Sequence, residues 1–204
     1  TIEYEEKLNA AVEDPSKKTA FDPKLEAMLP VIQGKMPLKA HAHRADDIFT
    51  AIRIAKEFNV KLTLEHVTDG SLIAHELAKA GYPCAVGPSF GHPGKRELEN
   101  KSFETPGILA KAGCEVCIIT DAGVVPIQNL PLCAGLAVRE GMDEFDALKA
   151  ITINAAKHIG IEDRVGSIEI GKDADFVISK EDPMLSDTRI KYTIIDGMVK
   201  YQYR

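Results

Sequence analysis

The sequence predicts a parallel α/β fold followed by a small β tail. Between residues 37 and 158, short apolar segments with strand character alternate with segments of helical periodicity, which is the pattern of βαβ units. Three of these strands end in a residue that can bind a metal, namely His41, His66 and Asp121. Because the carboxyl ends of parallel strands open onto one face, these residues predict a hydrolytic metal site there.

Two helices are expected before the first strand. The first, over 2–12, is weakly amphipathic. The second begins at Asp22-Pro23, where an N-cap residue precedes a proline at the first helical position, and it ends at Gly34.

Four strands are expected in the middle of the chain, over 37–43, 61–66, 82–86 and 115–121. A closed parallel barrel needs eight strands, so four account for half of one. Asp46 or Asp47 can cap the helix after the first strand, and Gly81 closes a helix over 71–80. Further helices are expected from Thr105 and over 129–140 and 142–158, the last of them broken near Thr152.

The tail predicts three β segments, over 166–170, 174–179 and 190–201. Asp196-Gly197 lies between two apolar β-rich runs in the last of these segments. This dipeptide is a strong signal for a two-residue hairpin turn, because both of its residues accept a positive φ.

Composition narrows the classes of partner. The net charge is −6 and the Lys and Arg residues form no cluster, which disfavours nucleic acid and anionic membranes as partners. No apolar run approaches the roughly 20 residues of a membrane helix. No signal-peptide pattern is visible, and we expect a cytoplasmic protein.

The four cysteines are Cys84, Cys114, Cys117 and Cys133. Only one C-x-x-C pair occurs, at the start of an apolar run, whereas a zinc ribbon needs two pairs and a thioredoxin motif opens a helix. We therefore expect reduced core or loop thiols. A redox or binding role for Cys114 and Cys117 stays open, and alkylation of these thiols would test it.

The histidines are the strongest candidates for metal ligands. His41 and His43 are two residues apart on one strand, so their side chains point to the same side. Neutral imidazole is a good ligand for Zn²⁺, Mn²⁺ or Fe²⁺. Both histidines also have structural interpretations. His41 can be a hydrogen-bonded surface residue. His66 continues the alternation of Leu62 and Leu64 and can be a core histidine whose ring nitrogens are hydrogen-bonded.

Two stretches near the end of the chain carry a family resemblance. They are Ala147-Leu148-Lys149-Ala150-Ile151-Thr152-Ile153-Asn154-Ala155-Ala156-Lys157-His158-Ile159-Gly160 and Gly166-Ser167-Ile168-Glu169-Ile170-Gly171-Lys172-Asp173-Ala174-Asp175-Phe176-Val177-Ile178. With the three strand-end residues, they make the chain similar to the C-terminal half of a metal-dependent amidohydrolase, of the imidazolonepropionase-like or prolidase-like kind. The resemblance covers nearly the whole chain from about residue 36.

The resemblance implies a (β/α)8 TIM barrel with one or two divalent metals and a small composite β-sandwich. The four strands correspond to barrel strands 5–8. We therefore expect a helical lead-in over 1–35, a half-barrel over 36–160 and sandwich strands over 161–204. His41 and His66 correspond to the metal ligands of the fifth and sixth strands, and Asp121 to the carboxylate of the eighth. The first-strand His-x-His pair and the bridging Lys have no counterpart here.

Asp121 is expected to bind metal and to take the proton of the attacking water, passing it on to the leaving atom. Capping of the Asp-Ala-Gly turn is the alternative. We expect His43, Arg44 and His92 to contact substrate. For Arg44 a salt bridge to a neighbouring Asp is an equal alternative, and His92 can simply be a solvated loop residue.

The resulting hypothesis is a metal-dependent hydrolase of amide or cyclic amide C–N bonds, with zinc as the expected ion and a small molecule as substrate. The chain alone is expected to be inactive, to bind metal weakly or not at all, and to associate with itself or with the missing N-terminal half. A non-catalytic, self-associating half-barrel module is the alternative.

Overall fold

The computed structural model describes residues 1–203 and contains two sheets of different kinds. A four-stranded parallel sheet has the order β1-β2-β3-β4, and a three-stranded antiparallel sheet has the order β5-β6-β7. The parallel strands are β1 (Leu38–Ala42), β2 (Leu62–His66), β3 (Cys84–Val86) and β4 (Val116–Ile118). The antiparallel strands are β5 (Phe176–Ser179), β6 (Ile190–Ile195) and β7 (Met198–Gln202).

Eight α-helices lie within the described residues. They are α1 (Ile2–Glu13), α2 (Pro23–Ile32), α3 (Ala45–Glu57), α4 (Ala74–Ala80), α5 (Thr105–Ala112), α6 (Leu130–Arg139), α7 (Glu144–Ala150) and α8 (Ile153–Ile159). The predicted caps explain several boundaries. The carboxylate of Asp22 accepts from the backbone N–H groups of Lys24 and Leu25, and Gly81 follows α4 with a φ of +74°.

The main core lies between the parallel sheet and the helices that connect its strands. Leu64, Cys84 and Val116 are adjacent in register on β2, β3 and β4, and each is at most 1% exposed. Ile48 of α3 and Leu109 of α5 belong to the same cluster and are fully buried. Burial of aliphatic side chains from successive strands and helices stabilises this layer and fixes the strand ends relative to one another.

The structure confirms the predicted hairpin at Asp196-Gly197, whose φ values of +51° and +70° suit the turn between β6 and β7. The prediction of a strand over 166–170 is wrong. Gly166 and Gly171 both have positive φ, and Ile168 and Ile170 between them are exposed. Ser167 lies in a bend and Ile170 in a turn, and the two residues between them have no regular structure and pair with no strand.

The predicted cap of α3 is also wrong. Arg44 occupies the N-cap position, and the carboxylate of Asp69, beyond β2, accepts from the backbone N–H of Ala45 at 3.0 Å. Asp46 and Asp47 lie in the first turn, where negative charge still complements the helix dipole. Within residues 1–203, no helix has both the length and the apolar character that a membrane crossing requires.

Candidate metal centre

Three imidazole rings meet at the carboxyl edge of the parallel sheet. His41 lies near the end of β1, His43 just beyond it, and His66 is the last residue of β2. The ring centroids of His41 and His66 are 4.3 Å apart, and the ring of His43 lies 4.8 Å from the first and 4.7 Å from the second. One ligand nitrogen from each ring lies within 4.8 Å of the other two, so the three rings can converge on one ion.

A local change of backbone conformation brings His66 to this cluster. The register pairs His41 with Glu65 and places His66 beside Ala42, so simple alternation would turn His66 to the opposite face from His41. His66 has a φ of +76° and Val67 a φ of +49°. This left-handed pair redirects the chain at the strand end, and the fully buried Val67 side chain secures it in the core.

Two of the rings are oriented by hydrogen bonds at Nδ1. The Nδ1 of His66 lies 2.7 Å from the carbonyl oxygen of Gly87, at the end of β3. Because a carbonyl only accepts, this Nδ1 carries the hydrogen and Nε2 carries the lone pair. The Nδ1 of His43 lies 2.7 Å from the hydroxyl of Thr68. Such oxygen partners are typical of histidines that bind metal through the other nitrogen.

The surroundings of His43 favour its neutral form. Burial, followed by the positive charge that His66 and His41 would carry, lowers the pKa of His43 from 6.5 to about 4. His43 is therefore neutral at pH 7, which is the protonation state that metal coordination requires. Neutral nitrogen donors suit zinc and other borderline divalent ions.

Asp121 is not a member of the three-histidine cluster. It lies in the turn after β4, three residues past Ile118, with an exposed side chain and a φ of +48°. Its position on the carboxyl side of β4 is on the same edge of the sheet as the histidines. The structure thus brings together His41, His43 and His66, and Asp121 is not one of this group.

The other two candidates for substrate contacts are exposed. Arg44 is paired with Asp46 through two hydrogen bonds of 2.9 and 3.3 Å, which is the salt-bridge alternative. His92 lies in the long loop after β3, where its Nδ1 is 3.2 Å from the carbonyl of Pro93. Neither ring nor guanidinium is held by a buried partner.

Sequence reasoning missed the residues that support the cluster. Thr68 is 7% exposed and lies two residues past the end of β2, and Asp69 donates its N–H to the carbonyl of His43 at 2.8 Å. The side chain of Asn100, in the long loop, donates to Asp69 at 2.9 Å. Polar residues immediately after a strand that ends in His were the available signal. No local signal predicted the contact between Asn100 and Asp69, because 31 residues separate the two in sequence.

A second polar group lies close to the histidines and joins Glu65 to His158. Nε2 of the buried His158 lies 2.9 Å from Oε1 of Glu65, which also accepts from Thr63 at 2.9 Å. Burial alone would raise the pKa of Glu65, but the hydrogen bond and charge of His158, the bond from Thr63 and the charge of Lys39 lower it to about 2. This network ties α8 to β2.

The fold and the cluster together define a class: an α/β protein with a candidate metal centre at the carboxyl edge of its parallel sheet. Comparison with known proteins names the family. The profile of the amidohydrolase family matches residues 26–200, and the chain belongs to that family.

The chain is similar to curated imidazolonepropionases. It is 35% identical to that of Symbiobacterium thermophilum over 147 residues, which are 69% of this chain and 33% of that protein. It is 30% identical to that of Pseudomonas syringae pv. tomato over 179 residues, or 84% of this chain and 43% of that protein. The chain thus spans less than half the length of these relatives.

Solved structures agree with this assignment. An amidohydrolase from Thermotoga maritima superposes with a TM-score of 0.93 at 39% identity, over 98% of this chain and 52% of that one. A Xaa-Pro dipeptidase with methionine in its active site superposes with a TM-score of 0.65 at 24% identity, over 82% of this chain and 45% of that one. The second likeness shows a shared fold.

Proposed function

We propose that this chain is the C-terminal half of a (β/α)8-barrel hydrolase that cleaves an amide or cyclic amide C–N bond with the help of a divalent metal. The observation that carries the proposal is the convergence of three imidazoles at the carboxyl edge of a parallel sheet. Active sites of parallel barrels lie on that edge. Membership of the amidohydrolase family and the similarity to imidazolonepropionases support the reaction class.

The residues present suit a divalent ion. His41 and His66 supply imidazole nitrogen, and the bond from Nδ1 of His66 to the Gly87 carbonyl leaves Nε2 as its ligand atom. When bound, a divalent ion such as zinc lowers the pKa of a coordinated water and polarises the substrate carbonyl. The mixed donor set of imidazole and carboxylate found in hydrolytic zinc sites is available if Asp121 contributes.

The remaining chemistry falls to side chains. We assign the proton transfer to Asp121. Its carboxylate accepts a proton from the attacking water and donates it to the leaving nitrogen as the C–N bond breaks. Its exposure in the turn after β4 leaves it accessible to substrate and water. Arg44 and His92 are assigned to substrate, Arg44 by a bidentate contact to a carboxylate in place of Asp46.

A chimera tests this function. This chain replaces the matching half of the Thermotoga maritima amidohydrolase, and the zinc-loaded product is assayed against N-acyl amino acids, Xaa-Pro dipeptides and cyclic amides. We expect hydrolysis by the chimera and none by the 204-residue chain alone. Asp121→Asn should lower the chimera's kcat by about 10²-fold or more. The control, Glu140→Gln on the exposed Arg139 pair, should not.

An Asp121→Asn chimera with full activity, or turnover that resists removal of metal by a chelator, would contradict the assignment. Hydrolysis by the 204-residue chain alone would show that the half-barrel needs no partner.

We also propose that the parallel sheet associates with another polypeptide, which is either a second copy of this chain or an N-terminal barrel half. Within residues 1–203, β1 and β4 are the outer strands of the parallel sheet and so carry unpaired main-chain groups. His41 and Lys39 are exposed on one face of β1, although His41 belongs to the candidate centre. Sedimentation of the chain, alone and with the unmatched half of the Thermotoga maritima protein, should show a dimer or a one-to-one complex. A monomer in both cases would refute the pairing and, with it, the non-catalytic self-associating module.

A further inference from the structure

We infer that His43 is the third nitrogen ligand of a single-ion site whose other ligands are His41 and His66, and that Thr68 is the residue that positions His43 for this role. The inference deepens the metal dependence proposed above and rests on it. It differs from the assignment of His43 to substrate and requires no contribution from Asp121.

The distances between the three rings carry the first step. A tetrahedral zinc ion with Zn–N bonds of about 2.1 Å separates its nitrogens by roughly 3.4 Å. The ligand nitrogens of the three histidines lie within 4.8 Å of one another, so side-chain rotations that move them by about 1 Å close the site. All three residues come from two neighbouring strand ends, and His41 and His66 are one register position apart.

The position of His43 is fixed at two points. Its carbonyl oxygen accepts from the backbone N–H of Asp69 at 2.8 Å, and its Nδ1 lies 2.7 Å from the Thr68 hydroxyl. Both partners belong to the turn that follows β2, the strand that ends in His66. The backbone and the ring of His43 are therefore held by the same segment that carries the neighbouring ligand.

Thr68 determines which nitrogen of His43 faces the ion. The Thr68 hydroxyl contacts Nδ1 and so leaves Nε2 as the nitrogen free to face the ion. A hydroxyl can donate or accept, and when Nε2 binds an ion the hydroxyl is the acceptor and Nδ1 carries the hydrogen. In the metal-bound form His43 would then share the tautomer that the Gly87 carbonyl imposes on His66. Thr68 is 7% exposed, so water cannot readily replace its hydroxyl. Outer partners of this kind change metal affinity by 10–100-fold.

The three-histidine set predicts that the 204-residue chain binds one ion by itself. The test is a titration of the apo chain with Co²⁺, followed by its visible absorption, and competition with Zn²⁺. The wild-type chain should bind one Co²⁺ with the intense bands of a tetrahedral site. His43→Ala should weaken Co²⁺ binding by at least tenfold. His75→Ala, an exposed histidine on α4, is the matched control and should bind as the wild type does.

The role of Thr68 is read from two substitutions at one position. Thr68→Val removes the acceptor while keeping the shape, and should weaken Co²⁺ binding by about tenfold and shift the bands. Thr68→Ser restores a hydroxyl and should restore the affinity and the spectrum. Circular dichroism and thermal melting of each variant separate loss of the site from loss of the fold, since only folded variants are compared.

Four results overturn the inference: no tetrahedral Co²⁺ site in the folded wild-type chain, a His43→Ala chain with wild-type affinity, a Thr68→Val chain indistinguishable from Thr68→Ser, or loss of Co²⁺ on Asp121→Asn equal to that of His43→Ala. Binding is read without substrate. A chain that binds Co²⁺ as described but gives an inactive chimera would refute the proposed hydrolysis and leave this site standing.

Discussion

The parallel sheet and the antiparallel sheet of this chain differ in how far their residues are buried. Every residue of β3 and β4 is buried, and helices cover the sheet face that carries Leu64 and Val116. Every residue of β7 is exposed, and Val177 on β5 is half exposed. The parallel sheet is held by packing over many elements, whereas the antiparallel sheet is held mainly by pairing between consecutive strands. The candidate site lies on the packed sheet, where strand ends are fixed.

Glycine substitutions give the sharpest contrast between the two sheets. Gly87 has a φ of +132°, and an added Cβ would collide with the carbonyl oxygen of Ile119. Gly87→Ala should lower the free energy of unfolding by about 3 kcal/mol or more, through strain and overpacking. Gly197, in the hairpin turn, has a φ of +70° but its nearest neighbour is at 3.9 Å, so Gly197→Ala should cost about 1 kcal/mol. Urea denaturation of both variants measures the difference.

Gly87→Ala should also affect the candidate centre, because the Gly87 carbonyl accepts from His66. A folded Gly87→Ala chain should bind Co²⁺ more weakly than Gly197→Ala does. Equal stabilities for the two variants would mean that the edge of the parallel sheet is not the more rigid region.

A matched pair of valines tests the packing itself. Val116 on β4 is 1% exposed and Val199 on β7 is 57% exposed. Val116→Ala removes two buried methyl groups and should lower the free energy of unfolding by about 2–3 kcal/mol. Val199→Ala should change it by no more than about 0.5 kcal/mol. If Val199→Ala costs as much as Val116→Ala, a second body covers the antiparallel sheet in solution.

Two carboxylates have lowered pKa values, and we expect only one of them to affect the free energy of unfolding at acid pH. Glu65, mostly buried against His158, has its pKa lowered from 4.5 to about 2. A carboxylate whose pKa is lower in the folded state than in the unfolded state stabilises the fold at pH values above its unfolded-state pKa. This contribution is lost as the pH falls from about 4.5 through 2. Glu65→Gln should therefore flatten the fall of the free energy of unfolding between pH 5 and pH 2.

Glu169 in the tail provides the control for Glu65. Hydrogen bonds from Ser167 and Lys172, and the charge of Lys172, lower its pKa, but solvent surrounds it. Glu169→Gln should leave the acid limb of the stability curve unchanged in urea titrations at pH 5, 4 and 3. An acid limb that is the same in the wild type and in Glu65→Gln would mean that the network around Glu65 and His158 contributes nothing measurable.

Much of the fold could be predicted from local patterns. The four parallel strands and the β6–β7 hairpin were found because periodicity and turn chemistry act over a few residues. The strand over 166–170 was wrongly predicted from its alternation, since alternation does not reveal whether a partner strand is present. The boundaries of the three parts of the chain stay predictions, as do the roles of Asp121, Arg44 and His92.

The meeting of His41 and His66 at one edge of the sheet could be expected from their places at strand ends, but the grouping of His43 with them, without Asp121, could not. The sequence alone establishes that His41 and His66 lie at the ends of strands, because strand formation follows from local propensity. The alternation of strands and helices indicates that these strands are parallel. Three-dimensional packing alone establishes that His66 turns back on a left-handed backbone, that Thr68 meets His43, and that Glu65 meets His158 from 93 positions away. These contacts join segments remote in sequence, so burial and backbone geometry select them, and no short pattern encodes them.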